Sequence, residues 1–279
     1  LGSRAWCGAL NSELEKQATS REGERLDDAL RRVGLDNTPR LEIEESRYLG
    51  YLEAHIEQGC YLEEASEKIG IVTAIVGIRG LIISFKGEQN HAGTTTMKRR
   101  KDAATAMFET AYRINTQFPR LARETTVWTL GNAVVEPGAS SIVPGAAELT
   151  LQFRDQDESI LDALEQEVKK IVEDIRSRGE ILVDVRPGRE VIRPSRMDKN
   201  FQIHLEKSAE EITPNAWRYM PSAAGHDPMV IHEKIPCAML FIPSIKGISH
   251  NFDEDSHEED IILGCEVLTS AAASILLSN

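Results

Sequence analysis

Apolar and polar residues alternate without a break from Ala147 to Arg154. Ala147, Leu149, Leu151 and Phe153 fall on one side, and Glu148, Thr150, Gln152 and Arg154 on the other. A period of two is that of a strand with one buried face. Three neighbouring stretches read as strands too. RGLIISFKG places Leu81, Ile83 and Phe85 on one face, Thr125 to Val135 is rich in β-branched residues, and Glu180 to Val185 is short and extended. Two stretches carry helical spacing instead. Arg99 to Thr116 would bury Ala103, Ala106, Met107 and Ile114, with the threonine run before it able to cap the helix. Ile160, Leu161, Leu164, Val168, Ile171 and Ile175 form an apolar stripe that Asp157 can cap and Gly179 can stop. The order strand, helix, strand, strand, helix, strand is that of a split-βαβ, ferredoxin-like unit. It predicts a self-contained domain over 79–190, inserted between two parts of another domain, 1–78 and 191–279.

The flanking parts are less regular. Residues 1–50 are polar and read as helical at Asn11 to Lys16 and at Glu24 to Val33. In YLEAHIEQG (51–59), Leu52, Ala54 and Ile56 share one strand face and Tyr51, Glu53, His55 and Glu57 the other, although a short helix also fits. KIGIVTAIVG, at 68–77, is apolar enough for a buried strand. Beyond 195 the pattern predicts a helix near Phe201–Ile212, an apolar strand at Cys237–Ile242 and a closing helix after Ser256. Ser256 and Glu259 have capping-box spacing.

Composition narrows the function classes. With 279 residues, 41% hydrophobic and 28% charged, the chain has the make-up of a soluble globular protein of about two domains. A net charge of −13, with basic residues only in small clusters such as Lys98 to Lys101, argues against nucleic acid as a partner. Cys7, Cys60, Cys237 and Cys265 are scattered with no CxxC spacing, which fits reduced thiols and a cytoplasmic location. No apolar run approaches the roughly 20 residues of a membrane helix, so no membrane partner is expected.

Four histidines stand in conspicuous surroundings. His55 ends an element just before Gln58-Gly59. His91 lies in GEQNHAGTTTM, where Gly93 lets backbone approach a ligand. His226 sits in a Gly-His-Asp-Pro turn. His250, in PSIKGISHNFDED, follows an apolar strand, the usual place for a site on an α/β sheet. Asp253, Glu254 and Asp255 are at hand to orient it. His204, His232 and His257 read as surface residues. There is no GxSxG, Walker loop, GxGxxG or HExxH. Histidines with nearby acids and no nucleophile motif favour metal-assisted hydrolysis.

Taken in order, HIEQG, GEQNHAGTTTM, IVPGAAELTLQFRD, SAAGHD and PSIKGISHN resemble a family of di-metal amidohydrolases. These are the N-carbamoyl-L-amino acid hydrolases, β-ureidopropionases and allantoate amidohydrolases, cousins of the di-zinc aminoacylases and carboxypeptidases. The resemblance runs from LGSRAWCG to the last helix. It implies an α/β catalytic domain of the metallo-exopeptidase type, interrupted by a ferredoxin-like lid that also makes a homodimer. It implies two divalent metals per subunit, zinc or manganese, with cobalt or nickel equally suited to neutral imidazole. His55 would bind one metal and His250 the other. His91, from the lid of the opposite subunit, would donate to the oxyanion that develops on the attacked carbonyl. Arg154 would grip the substrate carboxylate with its planar fork. Gln58, Gln89, Asn90 and His226 would line the pocket. The implied reaction is hydrolysis of the carbamoyl or ureido C–N bond of a small carboxylate-bearing substrate, releasing ammonia. N-carbamoyl amino acids (N-carbamoyl-β-alanine included) come first and allantoate second, with ureidoglycolate or an amide as rivals.

The sequence departs from the family in three places. Thr96 stands where the family usually has Pro. Ser141 stands where a substrate-contacting Asn usually precedes Val-Pro-Gly. The His-x-Asp stretch and the Glu-Glu pair that lie upstream of LGSRAWCG in the family have no counterpart, since Glu44-Glu45 follows that segment. The expectation is an incomplete, N-terminally truncated catalytic domain. The rival of another class is a non-catalytic dimerising fragment that has lost its metal centre.

Overall fold

The computed structural model describes residues 2–36 and 38–278, apart from the side chain of Leu14. Along the chain the main strands are β1 (Tyr51–Ile56), β2 (Ile69–Ile75), β3 (Gly77–Lys86), β4 (Val127–Glu136), β5 (Ala146–Asp155), β6 (Leu182–Pro187), β7 (Trp217–Ser222) and β8 (Cys237–Ile242). The main helices are α1 (Ala103–Gln117), α2 (Glu158–Ser177), α3 (Lys199–Ile212) and α4 (Glu258–Ser278). The chain divides into two compact units: one takes in the chain up to Ile75 and from Arg196 on, the other Val76–Ser195. These divisions compare with the 78/79 and 190/191 boundaries expected from the sequence.

In the first unit the strand order is β1-β8-β2-β7. β1 runs parallel to β8 in the register Tyr51 to Cys237 through Ile56 to Ile242. β8 is antiparallel to β2, and β7 parallel to β2. β8 is CAMLFI, buried throughout, as a strand covered on both faces must be. One face of the sheet packs Ile69, Ile71, Ala238, Leu240 and Ile242 against Phe201 and Leu205 of α3 and Val267, Ala271 and Ile275 of α4. Gly264 permits this, because a Cβ there would meet Ile242 Cγ2 at 2.5 Å. The other face carries Cys237, Met239 and Phe241 with Tyr51, covered by Met197, Ile231 and Ile235. The carboxyl ends of β1 and β8 lie side by side, where open α/β sheets place their sites.

The second unit is a four-stranded antiparallel sheet in the order β4-β5-β3-β6, with α1 and α2 packed against it. This is the strand-helix-strand-strand-helix-strand arrangement read from periodicity. β5 alternates without exception, the even-numbered residues half-buried and the odd-numbered ones buried. α2 buries Leu161, Leu164, Val168, Ile171, Val172 and Ile175, each worth about 1.5–3 kcal/mol of transfer free energy. Asp157 accepts the Ser159 N–H as its cap, and Gly179 past its end has φ of +72°. Arg79, at 9% side-chain exposure, ties the sheet to α2 through Glu158, Asp162 and Glu165 at 2.6–2.8 Å.

Several local expectations are corrected. The threonine run does not cap α1: Asp102 does, accepting the Thr105 N–H. The Ser256 hydroxyl donates to the Pro243 carbonyl at 2.7 Å, tying the helix entry to the end of β8. β7 was not legible in WRYMPS, whose Arg218 and Pro221 hide the pattern; tertiary pairing with β2 makes it a strand. His204 is no surface residue but half-buried, its Nδ1 2.8 Å from Ser274 Oγ of α4. Contrary to the expectation that no segment is apolar enough, α4 has the length and composition to cross a membrane, although one of its faces packs on the sheet.

Candidate active site

His55 is the penultimate residue of β1 and lies opposite Phe241 in the register with β8. Its Nδ1 is 2.7 Å from the Ile56 carbonyl. A carbonyl oxygen can only accept, so the proton sits on Nδ1 and Nε2 keeps its lone pair. That is the tautomer of a metal-ligating imidazole. His226, from the loop after β7, stacks edge-on to His55 with ring centroids 4.6 Å apart, and both rings lie against Phe241. The His226 side chain is only 2% exposed. Ser222 Oγ donates to the Ala224 carbonyl and so accepts from His226 Nε2 at 2.9 Å. This leaves His226 Nδ1 facing Glu53 Oε1 at 3.6 Å.

Burial pushes the His226 imidazole down to about 4, with the neighbouring His55 acting in the same direction. Burial also raises the Glu53 carboxyl above the usual carboxylate range, against the Tyr51 hydroxyl that donates to it at 2.9 Å. The result is a His55–His226–Glu53–Tyr51 cluster on one face of the sheet, with His226, Glu53 and Tyr51 desolvated. Sequence reasoning singled out the two histidines and missed Glu53 and Tyr51. Period two was the available signal, since Tyr51, Glu53 and His55 share a strand face.

His250 occupies the loop after β8, with φ of +56°. Its backbone N–H donates to Glu254 Oε2 at 2.8 Å. Of the three acids expected to orient His250, Glu254 is thus engaged, on the backbone rather than the ring. Gln58 also adopts a left-handed conformation, φ +60°, and its amide Nε2 donates to Ser249 Oγ at 2.9 Å.

In the second unit, Gln89, Asn90, His91 and Ser141 converge on one loop pair. Asn90 pairs with Val143 and His91 with Ile142, Gln89 lies against Gly145, and the Ser141 carbonyl accepts the Ala92 N–H. His91 is exposed, yet its ring is fixed. Nδ1 accepts the Gly93 and Thr94 N–H groups at 3.0 and 3.2 Å, so the proton is on Nε2 and that N–H is a free-standing donor. Arg154 lies on the half-buried face of β5, where its Nε and one terminal nitrogen donate to Gln152 Oε1 at 3.1 and 2.9 Å.

Among the described residues no group of three or more His, Cys, Asp or Glu side chains is arranged to hold a metal ion. His55 fits a divalent cation in tautomer, and His250 in ligand chemistry. In number the two fall short of the four ligands of a closed zinc shell.

Residues 20–274 match the peptidase family M20/M25/M40, and the chain belongs to that family. It is 32% identical over 272 residues to an allantoate amidohydrolase of Escherichia coli (strain K12), covering 96% of this chain and 64% of that protein. It is 31% identical over 271 residues to an N-carbamoyl-L-amino acid amidohydrolase of Geobacillus stearothermophilus, covering 96% and 65%. The crystal structure of an amidase of the hydantoinase/carbamoylase family from Burkholderia phymatum superposes with a TM-score of 0.89 at 42% identity, covering 98% of this chain and 66% of that one. The chain thus spans just under two thirds of the length of these relatives.

Proposed function

We propose that the chain is part of an amidohydrolase that cleaves the carbamoyl or ureido C–N bond of a small carboxylate-bearing substrate. N-carbamoyl amino acids, N-carbamoyl-β-alanine among them, are the first choice and allantoate the second. The observation that carries this reading is His55: its Nδ1 proton is committed to the Ile56 carbonyl, so Nε2 is presented as a lone-pair donor at the carboxyl edge of a parallel strand pair. His55 and His250 would each hold one divalent cation, zinc or manganese, or cobalt or nickel. Two such ions, when bound, supply a water acidic enough to act as hydroxide at neutral pH and polarise the carbonyl it attacks.

The other roles belong to the chain's own side chains. His91, held in the Nε2–H tautomer, donates to the oxygen that gains charge as water adds to the ureido carbon. Arg154 takes the substrate carboxylate with two parallel N–H bonds. Asn90, Gln89 and Ser141 share the His91 loop pair and line the substrate's ureido end, and His226 lies beside His55. Water adds to the carbon, the C–N bond breaks and ammonia leaves. Unit Val76–Ser195 acts as lid and dimerisation domain, so that His91 serves a second copy's site. Edge strand β4, exposed along most of its length, supports such pairing.

A second reading, a dimerising protein without a working metal centre, is favoured by the shortage of ligands among the described residues. One experiment separates the two: metal stoichiometry after dialysis against zinc or manganese, followed by ammonia release from N-carbamoyl-β-alanine, N-carbamoyl-L-amino acids, allantoate and ureidoglycolate. Two tightly held ions with ammonia release from one of these substrates supports the hydrolase. A metal-free, inactive dimer supports the second reading.

A further inference from the structure

The turn that follows β1, the strand carrying His55, is zipped to the loop carrying His250 by polar contacts. Three residues beyond His55, Gln58 turns left-handed with φ of +60°, and its backbone N–H donates to Ser244 Oγ at 2.9 Å. Ser244 is fully buried. The Gln58 side-chain amide donates to Ser249 Oγ at 2.9 Å. The Glu254 carboxylate accepts the His250 N–H at 2.8 Å and has the Ser249 hydroxyl beside it as a second polar neighbour. These two groups hold the Glu254 carboxyl below the usual carboxylate range.

The backbones also close on each other. Lys246 N–H donates to Glu63 Oε2 at 2.8 Å, and a Cβ at Gly247, whose φ is +63°, would lie 2.9 Å from the Gly59 carbonyl carbon and 3.0 Å from Cys60 N. His250 itself has φ of +56°, a conformation that non-glycine residues keep only when their surroundings hold it. Here the contact that holds it is the carboxylate on its own N–H.

We propose that Glu254 is a positioning residue. Through Ser249 and Gln58 it locks the His250 turn to the end of the His55 strand, so that the two imidazoles keep one separation and direction. Gln58 then belongs to this tie, with one amide N–H on Ser249. The inference rests on the reading of His55 and His250 as metal ligands and adds to it what keeps them in place. Neither the Glu254 carboxylate nor the Gln58 amide is a ligand in this arrangement.

The test compares Glu254→Ala with Glu254→Gln in the 279-residue chain. Glutamine keeps an oxygen acceptor for the His250 N–H, whereas alanine removes it. Amide hydrogen exchange at His250, followed by NMR without metal, should quicken about tenfold or more in the alanine variant and stay within about threefold in the glutamine variant. Zinc affinity, by competition with a chelator, should fall about tenfold for alanine and little for glutamine. Melting temperatures should be alike for both variants, because the carboxylate is exposed. Equal exchange at His250 in wild type and Glu254→Ala overturns the proposal. So does a glutamine variant that loses zinc as badly as alanine, since Glu254 would then act as a ligand by its charge. If the wild-type chain holds no zinc against the chelator, that counts against the proposed function, and the exchange comparison still decides the role of Glu254.

Discussion

His226 and His91 are both oriented imidazoles, and they are fixed by opposite means. His226 is desolvated, wedged against His55 and Phe241 and bonded to the Ser222 hydroxyl. His91 is exposed and held only by two backbone N–H groups on its own Nδ1. The first arrangement is part of a core, so any change to it registers in folding stability. The second is a local turn that leaves a donor in solvent, so its loss should leave folding intact and register only in chemistry. Under the proposed function, His91 can stay exposed until substrate arrives, whereas His55 and its neighbour His226 are held rigid beforehand.

The largest effect that would sharpen this contrast is on the two cores. Phe241→Ala and Phe153→Ala should each cost about 3–5 kcal/mol in urea unfolding, as both rings are fully buried. Only Phe241→Ala should also shift the NMR signals of the His55 and His226 rings, because Phe153 packs in the other unit. His91→Ala should lower kcat in an active form of the enzyme by about 10²–10³-fold, about 3–4 kcal/mol, with metal content unchanged. A loss of metal in that variant would break the contrast.

The His226 shift gives a pH signature in the metal-free chain. The folded imidazole, near 4 instead of its ordinary 6.5, binds a proton more weakly than the unfolded chain does. The corresponding stability is complete above pH 6.5 and is lost as pH falls through the window from 6.5 to about 4, by up to about 3 kcal/mol. His226→Asn should flatten that window in denaturant titrations, and His91→Ala should leave it as it is. Arg154→Ala should raise KM by about tenfold or more with little change in folding, the price of one charge-assisted pair. The smallest effect is the helix cap: Asp157→Ala should cost about 1 kcal/mol by thermal unfolding and leave the ring signals of the other unit alone.

The second unit was legible because its pattern is local. β5 alternates strictly, α2 carries a full apolar stripe, and Asp157 and Gly179 mark its ends, so each element declares itself within a few residues. The first unit was legible only in pieces. WRYMPS contains an arginine and a proline and becomes β7 by pairing with β2. Ser256 has capping-box spacing and instead bonds the Pro243 carbonyl. For the site, motif resemblance singled out His55, His91, Arg154, His226 and His250. It placed Gln58 at a substrate pocket; the contact of its amide N–H with Ser249 was not legible in the sequence. Glu254 was one of three equivalent acids in the sequence; the structure distinguishes it by the His250 N–H it accepts.

The chain's own order of residues determined the periodicities, the caps and the tautomer-fixing neighbours of His55 and His91, because each of these is satisfied within a turn or a strand. Tertiary structure alone decided that His226 lies on His55 and that Gln58 reaches Ser249. Those contacts depend on the parallel register of β1 with β8 and on two left-handed turns. A one-residue slip in that register would turn every side chain of β1 to the opposite face, and nothing within a local window of sequence specifies the register.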